Sequence, residues 1–213
     1  LRPGFALSKL VSTLKESEGV VLAHHGLIVW DDKSEFCYQK TLDAVEKSSK
    51  FLASLKKAPE ATFRPDELPE AQIMELLLTL RGTLGKRNIL RRDARLREIA
   101  DRKDLPKVLE GGAASADHML RIRPWSCATS LATAKEDVAK YRDRYDAYFE
   151  ANKSALPAGY SSHGNDPRVF LIPGLGMIGA APTMGETKML ADIAFHTHSV
   201  AATVVDSFPR PRA

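Results

Sequence analysis

The sequence predicts an α/β fold in which helices pack on a mixed sheet. Three observations point there. Short apolar runs at residues 20–23, 27–30 and 169–172 have the length of buried strands. Between them lie longer segments whose apolar residues recur at helical spacing. The same strand–turn–strand–helix pattern occurs near each end of the chain.

In order, Leu7, Leu10, Val11 and Leu14 lay a helical stripe over residues 7–17, and Gly19 ends it. Residues 20–23 and 27–30 then read as two short buried strands, with His24, His25 and Gly26 at their junction. Asp32 followed by Glu35 is a capping-box-like start, and Tyr38, Leu42, Val45 and Leu52 form the apolar stripe of the helix behind it. A polar, proline-bearing stretch at 57–69 reads as a linker. Residues 73–84 are helical, 88–91 a short strand, and 96–109 a charged helix interrupted at Pro106 and stopped by Gly111 and Gly112. Residues 115–121 carry no clear period. Residues 135–152 form an amphipathic helix with Val138, Tyr141, Tyr145, Tyr148 and Phe149 on its apolar side. After a Ser/Gly/Asn loop comes the strand 169–172, and Thr183 with Glu186 opens a final helix to about Asp206.

With 213 residues, 44% of them hydrophobic and 27% charged, the chain suits one large domain or two small ones, which excludes disordered, collagenous and membrane classes. No run approaches the roughly 18 to 20 apolar residues of a membrane span, and no basic-then-apolar leader is present, so a cytoplasmic location is expected. Cys37 and Cys127 stand alone, outside any zinc, redox or disulfide spacing, and are expected to be reduced and structural. The chain begins with Leu1 rather than methionine, which suggests a fragment or a processed chain.

Charge is uneven. Between Arg81 and Lys107 ten Lys/Arg face four Asp/Glu, giving that segment +6 and leaving the remainder at −2. The interspersed acids and the lack of interleaved aromatics favour a solvated helical face over a nucleic-acid surface, so no nucleic-acid partner is expected.

Superposing the two strand–turn–strand–helix patterns gives an ungapped repeat with a period of about 150 residues, in which Gly26 falls on Gly176 and His25 on Leu175. A chance match of two short apolar runs is the alternative. Only the first copy could then place a metal ligand at the turn.

Three motifs carry candidate chemistry. Residues 174–179 fit the dinucleotide pattern GxGxxG. However, Pro182 and the Thr183 capping box start the helix beyond the third glycine and no second strand follows, so a tight turn between strands is favoured over nucleotide binding. His196 and His198 form an HxH, but two apart on a helix they point about 200° apart, against a shared metal. His25, where a strand meets a glycine, is placed as a rigid metal ligand would be, although a lone histidine there is more often structural.

The runs Arg2-Pro3-Gly4-Phe5-Ala6-Leu7 and Val20 through Trp30 resemble the later part of a class II (zinc-dependent) aldolase/adducin domain. Ala116-Asp117-His118, Arg123-Pro124-Trp125, Tyr145 through Phe149 and Pro167 through Gly176 extend the similarity over nearly the whole chain. The longer pattern resembles the aldolase half of bifunctional rhamnulose-1-phosphate aldolase/short-chain alcohol dehydrogenase proteins. The resemblance implies a class II aldolase-like layered fold, a mixed or antiparallel sheet flanked by helices. Residues 1–56 would be the later part of the aldolase-like unit, 57–69 a linker, 70–207 a second unit resembling the first, and 208–213 the start of a linker to a dehydrogenase domain.

The resemblance further implies retro-aldol cleavage of a ketose 1-phosphate to dihydroxyacetone phosphate and an aldehyde, with Zn²⁺ polarising the carbonyl. His25 maps to the family's third zinc-ligating histidine. The HxH pair, the glutamate and the phosphate loop of the family fall upstream, so the chain by itself is expected to be inactive as an aldolase. NAD would enter only through the absent dehydrogenase domain. His118 and Arg121, beside Arg123, are candidates for binding an anionic substrate group or completing a neighbouring subunit's site in a homo-oligomer, although structural hydrogen bonds in a loop are the favoured reading of Asp117 and His118. Two other readings stay open: a non-catalytic adducin-like assembly module, and a nucleotide-binding oxidoreductase fragment.

Overall fold

A computed structural model of the chain describes residues 4–14, 16–22, 26–55, 66–85, 88–162 and 164–208. They form mixed helix and sheet in two compact units, residues 1–56 and 57–213.

In the first unit, helix α1 (Phe5–Ser12) precedes the antiparallel hairpin β1 (Gly19–Leu22) and β2 (Gly26–Val29), and helix α2 (Ser34–Leu55) follows. The sequence expectations need three corrections here. α1 closes at Thr13, short of the predicted end at residue 17. α2 begins at Ser34, and Asp31 rather than Asp32 serves the turn before it, its carboxylate accepting from the Lys33 N–H at 3.2 Å. The hairpin strands are not buried either: no described residue of this unit is, and Val21 is 77% exposed. The stripe of Tyr38, Leu42 and Val45 is likewise exposed. Apolar period decides which side of an element is apolar, but burial needs an opposing apolar surface larger than a two-stranded hairpin offers.

The second unit is a three-layer sandwich. Helix α3 (Glu70–Leu84) leads into β3 (Ile89–Asp93), a turn of 3₁₀ helix and the short helices α4 (Arg97–Ala100), α5 (Leu105–Glu110) and α6 (Ala116–Ile122). Strand β4 (Cys127–Ala128), helix α7 (Ala134–Asn152), strands β5 (Val169–Ile172) and β6 (Gly176–Ala181) and helix α8 (Met184–Ser207) complete it. The sheet order is β3-β6-β5-β4, antiparallel except for the β4–β5 pair. Side chains on a strand alternate between faces. Phe170, Ile172, Ile178 and Ala180 therefore pack on one side with Ile73, Leu76 and Leu80 of α3 and Val138 and Tyr141 of α7. Val169, Leu171, Met177 and Ala181 face the other side, against Leu96, Leu105, Ile122 and the α8 residues Leu190, Ala191 and Ala194. Each residue of β5 is buried, as the continuous apolar run requires of a strand covered on both faces.

The hairpins of the two units share a register. Leu22 pairs with Gly26 as Ile172 pairs with Gly176, and Val20 with Ile28 as Phe170 with Ile178. Gly26 and Gly176 also share a positive φ, 126° and 105°.

The glycine motif is the β5–β6 turn. Gly174 has φ 81° and donates its N–H to the buried Asp101 carboxylate at 2.7 Å. A Cβ on Gly176 would lie 2.8 Å from the Asp93 carbonyl, so both the backbone conformation and the space demand glycine there. Gly179 sits within β6, away from any helix N-terminus.

The charged segment also differs from expectation. It breaks at residues 101–104, while Pro106 lies inside the first turn of α5, where its missing N–H costs nothing. The break exists because Asp101 turns in to the glycine turn and Arg102 turns in to Asp104 and Asp206. Much of the basic band is paired: Arg92 with Glu70, Arg95 with Asp93 and Asp192, and Arg97 with Asp101. At the other end, Thr183 caps α8 by accepting from the Glu186 N–H at 3.2 Å, while the Glu186 carboxylate reaches Arg168. No helix among the described residues is long and apolar enough to cross a membrane.

Candidate functional site

Residues 115–121, without a clear period in the sequence, form the N-cap and nearly all of α6. Ser115 caps it, its hydroxyl accepting from the His118 N–H at 3.2 Å. One turn of helix places His118 against α8, where its Nδ1 lies 2.6 Å from the Thr197 hydroxyl and its ring meets His196 edge-on at 5.5 Å. Burial, reinforced by His196, lowers the His118 pKa, so the ring is held neutral at pH 7. Asp117 and His118 thus belong to a helix rather than a loop.

His198, two residues along α8, faces the interior. Its Nε2 lies 2.8 Å from the Ser126 hydroxyl, its Nδ1 has no partner among the described residues, and burial pushes its pKa down to about 4. The HxH therefore divides between two neighbours, His196 toward His118 and His198 toward Ser126, as helical geometry dictates.

Arg121 contributes its main-chain carbonyl, which accepts from Arg168 at 3.0 Å. Burial lowers the Arg168 pKa, and Arg123 and Arg121 lower it further, which places three guanidinium groups in one neighbourhood with the Glu186 carboxylate 3.5 Å from Arg168. Arg123 ends α6 at φ 72°, ψ 174°, and its guanidinium lies 5.6 Å from the Tyr145 ring centroid. There it lines a cavity of about 160 Å³ walled by Met119, Tyr148, Phe149, Leu156 and Tyr160. Tyr145, Tyr148 and Phe149 read from the sequence as one core stripe. Tyr145 is buried with the core, whereas Tyr148 and Phe149, at the rim, leave space. A count of tyrosines on that helix was the available signal, and only the opposing α6 made it a cavity.

His25 lies outside the described residues, together with Ala23 and His24. Among the described residues no group of three His, Cys, Asp or Glu is placed to hold a metal ion, so they do not by themselves fit a zinc centre. Cys127 is buried and its thiol is pushed up to about 12 by burial, which makes it inert; Cys37 is also free.

The family model described as "Aldolase class II, second domain" matches residues 71–208, from α3 to the end of α8. The chain belongs to this family. It is also 28% identical, over 214 aligned residues, to "Uncharacterized oxidoreductase YuxG" of Bacillus subtilis (strain 168). That alignment covers 89% of the chain and 31% of the relative, so the chain spans about a third of the length of the curated protein it matches. No solved structure matches the chain. The family match falls on the three-layer unit that carries His118, Arg121 and the tyrosine cavity.

Proposed function

We propose that this chain is part of a zinc-dependent class II aldolase that cleaves a ketose 1-phosphate of the rhamnulose-1-phosphate type to dihydroxyacetone phosphate and an aldehyde. The family match over residues 71–208 carries the reading. A fusion to a short-chain dehydrogenase is part of it, supported by the longer relative's name as an oxidoreductase, and NAD would belong to that partner domain. His25 is the residue of this chain assigned to the metal, with the other ligands and the catalytic carboxylate on the preceding part of the parent protein.

In the three-layer unit the Arg121, Arg123 and Arg168 guanidinium groups supply the positive charge suited to an anionic substrate group, while His118, fastened to Thr197, adds a neutral imidazole. A homo-oligomer fits the apolar side chains that α2 exposes, Tyr38, Leu42, Val45 and Phe51.

The test is metal analysis of the full-length parent protein beside its His25→Ala variant, coupled to an aldol-cleavage assay. Zinc and activity should both be lost in the variant. Retention of both sinks the assignment of His25, and a full-length protein that binds zinc but cleaves no ketose 1-phosphate sinks the substrate assignment.

A further inference from the structure

We propose that the open edge of strand β4, on the floor of the groove between α5 and α7, binds a short peptide with both termini charged, extended antiparallel to β4. The groove shares no residue with the Arg123 cavity, and the proposal does not rest on the aldolase reading.

The backbone supplies the template. β4 ends the sheet order, and among the described residues it pairs with β5 alone. Thr129 donates its N–H to the Leu171 carbonyl at 3.0 Å, so its main chain faces β5. Successive residues of a strand turn their N–H and C=O to opposite sides. The N–H and C=O of Ala128 therefore point away from the sheet, where the C=O has only a weak contact from the Cys127 thiol, at 3.7 Å, among the described residues. A donor and an acceptor on one residue are what a residue of an antiparallel strand pairs with. α5 packs on one face of the sheet and α7 on the other, and a groove of about 350 Å³ opens between them over Ser126, Cys127 and Ala128. That volume lies in the range of clefts that hold small ligands.

The charges set the direction. Asp137 stands at the Thr129 end of β4. Its Oδ2 accepts from the Thr129 and Thr133 hydroxyls at 2.8 and 2.6 Å, and its Oδ1 has no hydrogen bond among the described residues. Arg144 stands at the opposite end, its guanidinium stacked 3.7 Å from the Trp125 ring centroid. The stack occupies the flat face of the guanidinium, whereas its N–H donors lie in the plane, and among the described residues they have no acceptor. Lys140, between the two, is held by Glu136 at 2.8 Å. An ammonium at Asp137 and a carboxylate at Arg144 make the ligand run opposite to β4. The two residues are seven positions apart on α7, about 10 Å of helix rise, which three extended residues span at about 3.4 Å each.

Side-chain direction follows from the pairing, since residues opposite one another in an antiparallel ladder share a face. Cys127 packs on the α7 side, so Ala128 and the middle residue of the ligand face α5, where Pro106, Leu109 and Glu110 line the groove. An apolar middle side chain suits that wall, and an acidic one does not.

The tripeptide Ala-Leu-Ala, titrated onto the full chain and followed by ligand-observed NMR, tests this. It should bind. N-acetylation and C-amidation should each weaken it at least threefold, a modest effect because both protein charges are partly solvated. N-methylation of the leucine amide, which removes the donor to the Ala128 carbonyl, should weaken it at least threefold, and so should glutamate in place of the leucine. Asp137→Asn should abolish the penalty of N-acetylation and keep that of amidation, and Arg144→Gln should do the reverse. No binding of Ala-Leu-Ala, or a loss smaller than threefold on N-methylation, overturns the proposal. A terminus blocked with a smaller loss overturns the charge pairing at that end, and equal binding of Ala-Glu-Ala overturns the placement of the middle side chain. Any other pattern from the two variants overturns the antiparallel direction.

Discussion

His198 offers a direct check on the packing of the three-layer unit. The ring is 2% exposed, and it would have to satisfy two N–H donors if protonated, yet among the described residues only Nε2 has a partner, Ser126. Burial accordingly depresses its pKa from 6.5 to about 4. Below pH 6.5 the unfolded chain takes up a proton at this residue that the folded chain refuses until about pH 4. Stability therefore falls as pH falls through that window and stops changing from this source below it. At 1.36 kcal/mol per pKa unit, the depression corresponds to about 3 kcal/mol. His198→Asn keeps a polar group for Ser126 but cannot titrate. Urea unfolding of both proteins between pH 7.5 and 4 should show the original chain's advantage shrinking by about 3 kcal/mol toward acid, because the other titrations cancel in the difference. A stability difference that stays constant within about 0.5 kcal/mol across the range would refute the reasoning, since it would mean the ring reaches water in the folded state.

Other consequences are as direct. Arg102, with Asp104 at 2.8 Å and Asp206 at 2.7 Å, ties the end of α8 to the α4–α5 break with side chains almost wholly buried. Arg102→Met strands two buried carboxylates and should cost about 4 kcal/mol in urea unfolding, whereas Asp206→Asn, which leaves Arg102 paired with Asp104, should cost about 2 kcal/mol. Gly176→Ala should lower the melting temperature by an amount worth more than about 1 kcal/mol, because its Cβ meets the Asp93 carbonyl at positive φ, while Gly179→Ala, with neighbours at ordinary contact distance, should cost less than about 1 kcal/mol. Calorimetric titration of the chain with NAD(H) should give no binding, since the GxGxxG segment is a hairpin turn rather than the mouth of a helix; measurable binding would overturn that assignment.

Much of the second unit was legible from sequence because its signals are strong and local. The run 169–172 is β5 residue for residue, and Thr183 marks the start of α8 because a hydroxyl there can accept the Glu186 N–H before any tertiary contact forms. Pro106 misled because a proline is read as a helix breaker, whereas at the start of α5 it is compatible with the helix. The break is set instead by Asp101 and Arg102, whose partners Gly174 and Asp206 are 73 and 104 residues away.

By itself, then, the sequence determined the α/β class, the strand runs, the turn at Gly174 and Gly176 and the cap at Thr183, since period, glycine conformation and capping act over a few residues. Tertiary structure decided what each polar side chain does. His118 and His198, alike in the sequence, became a ring held at an α6–α8 contact and a ring sealed in the core, and Arg121 serves through its carbonyl while Arg123 lines a cavity. Those roles depend on which distant surface each residue meets, and burial and charge proximity arise only when the layers close on one another.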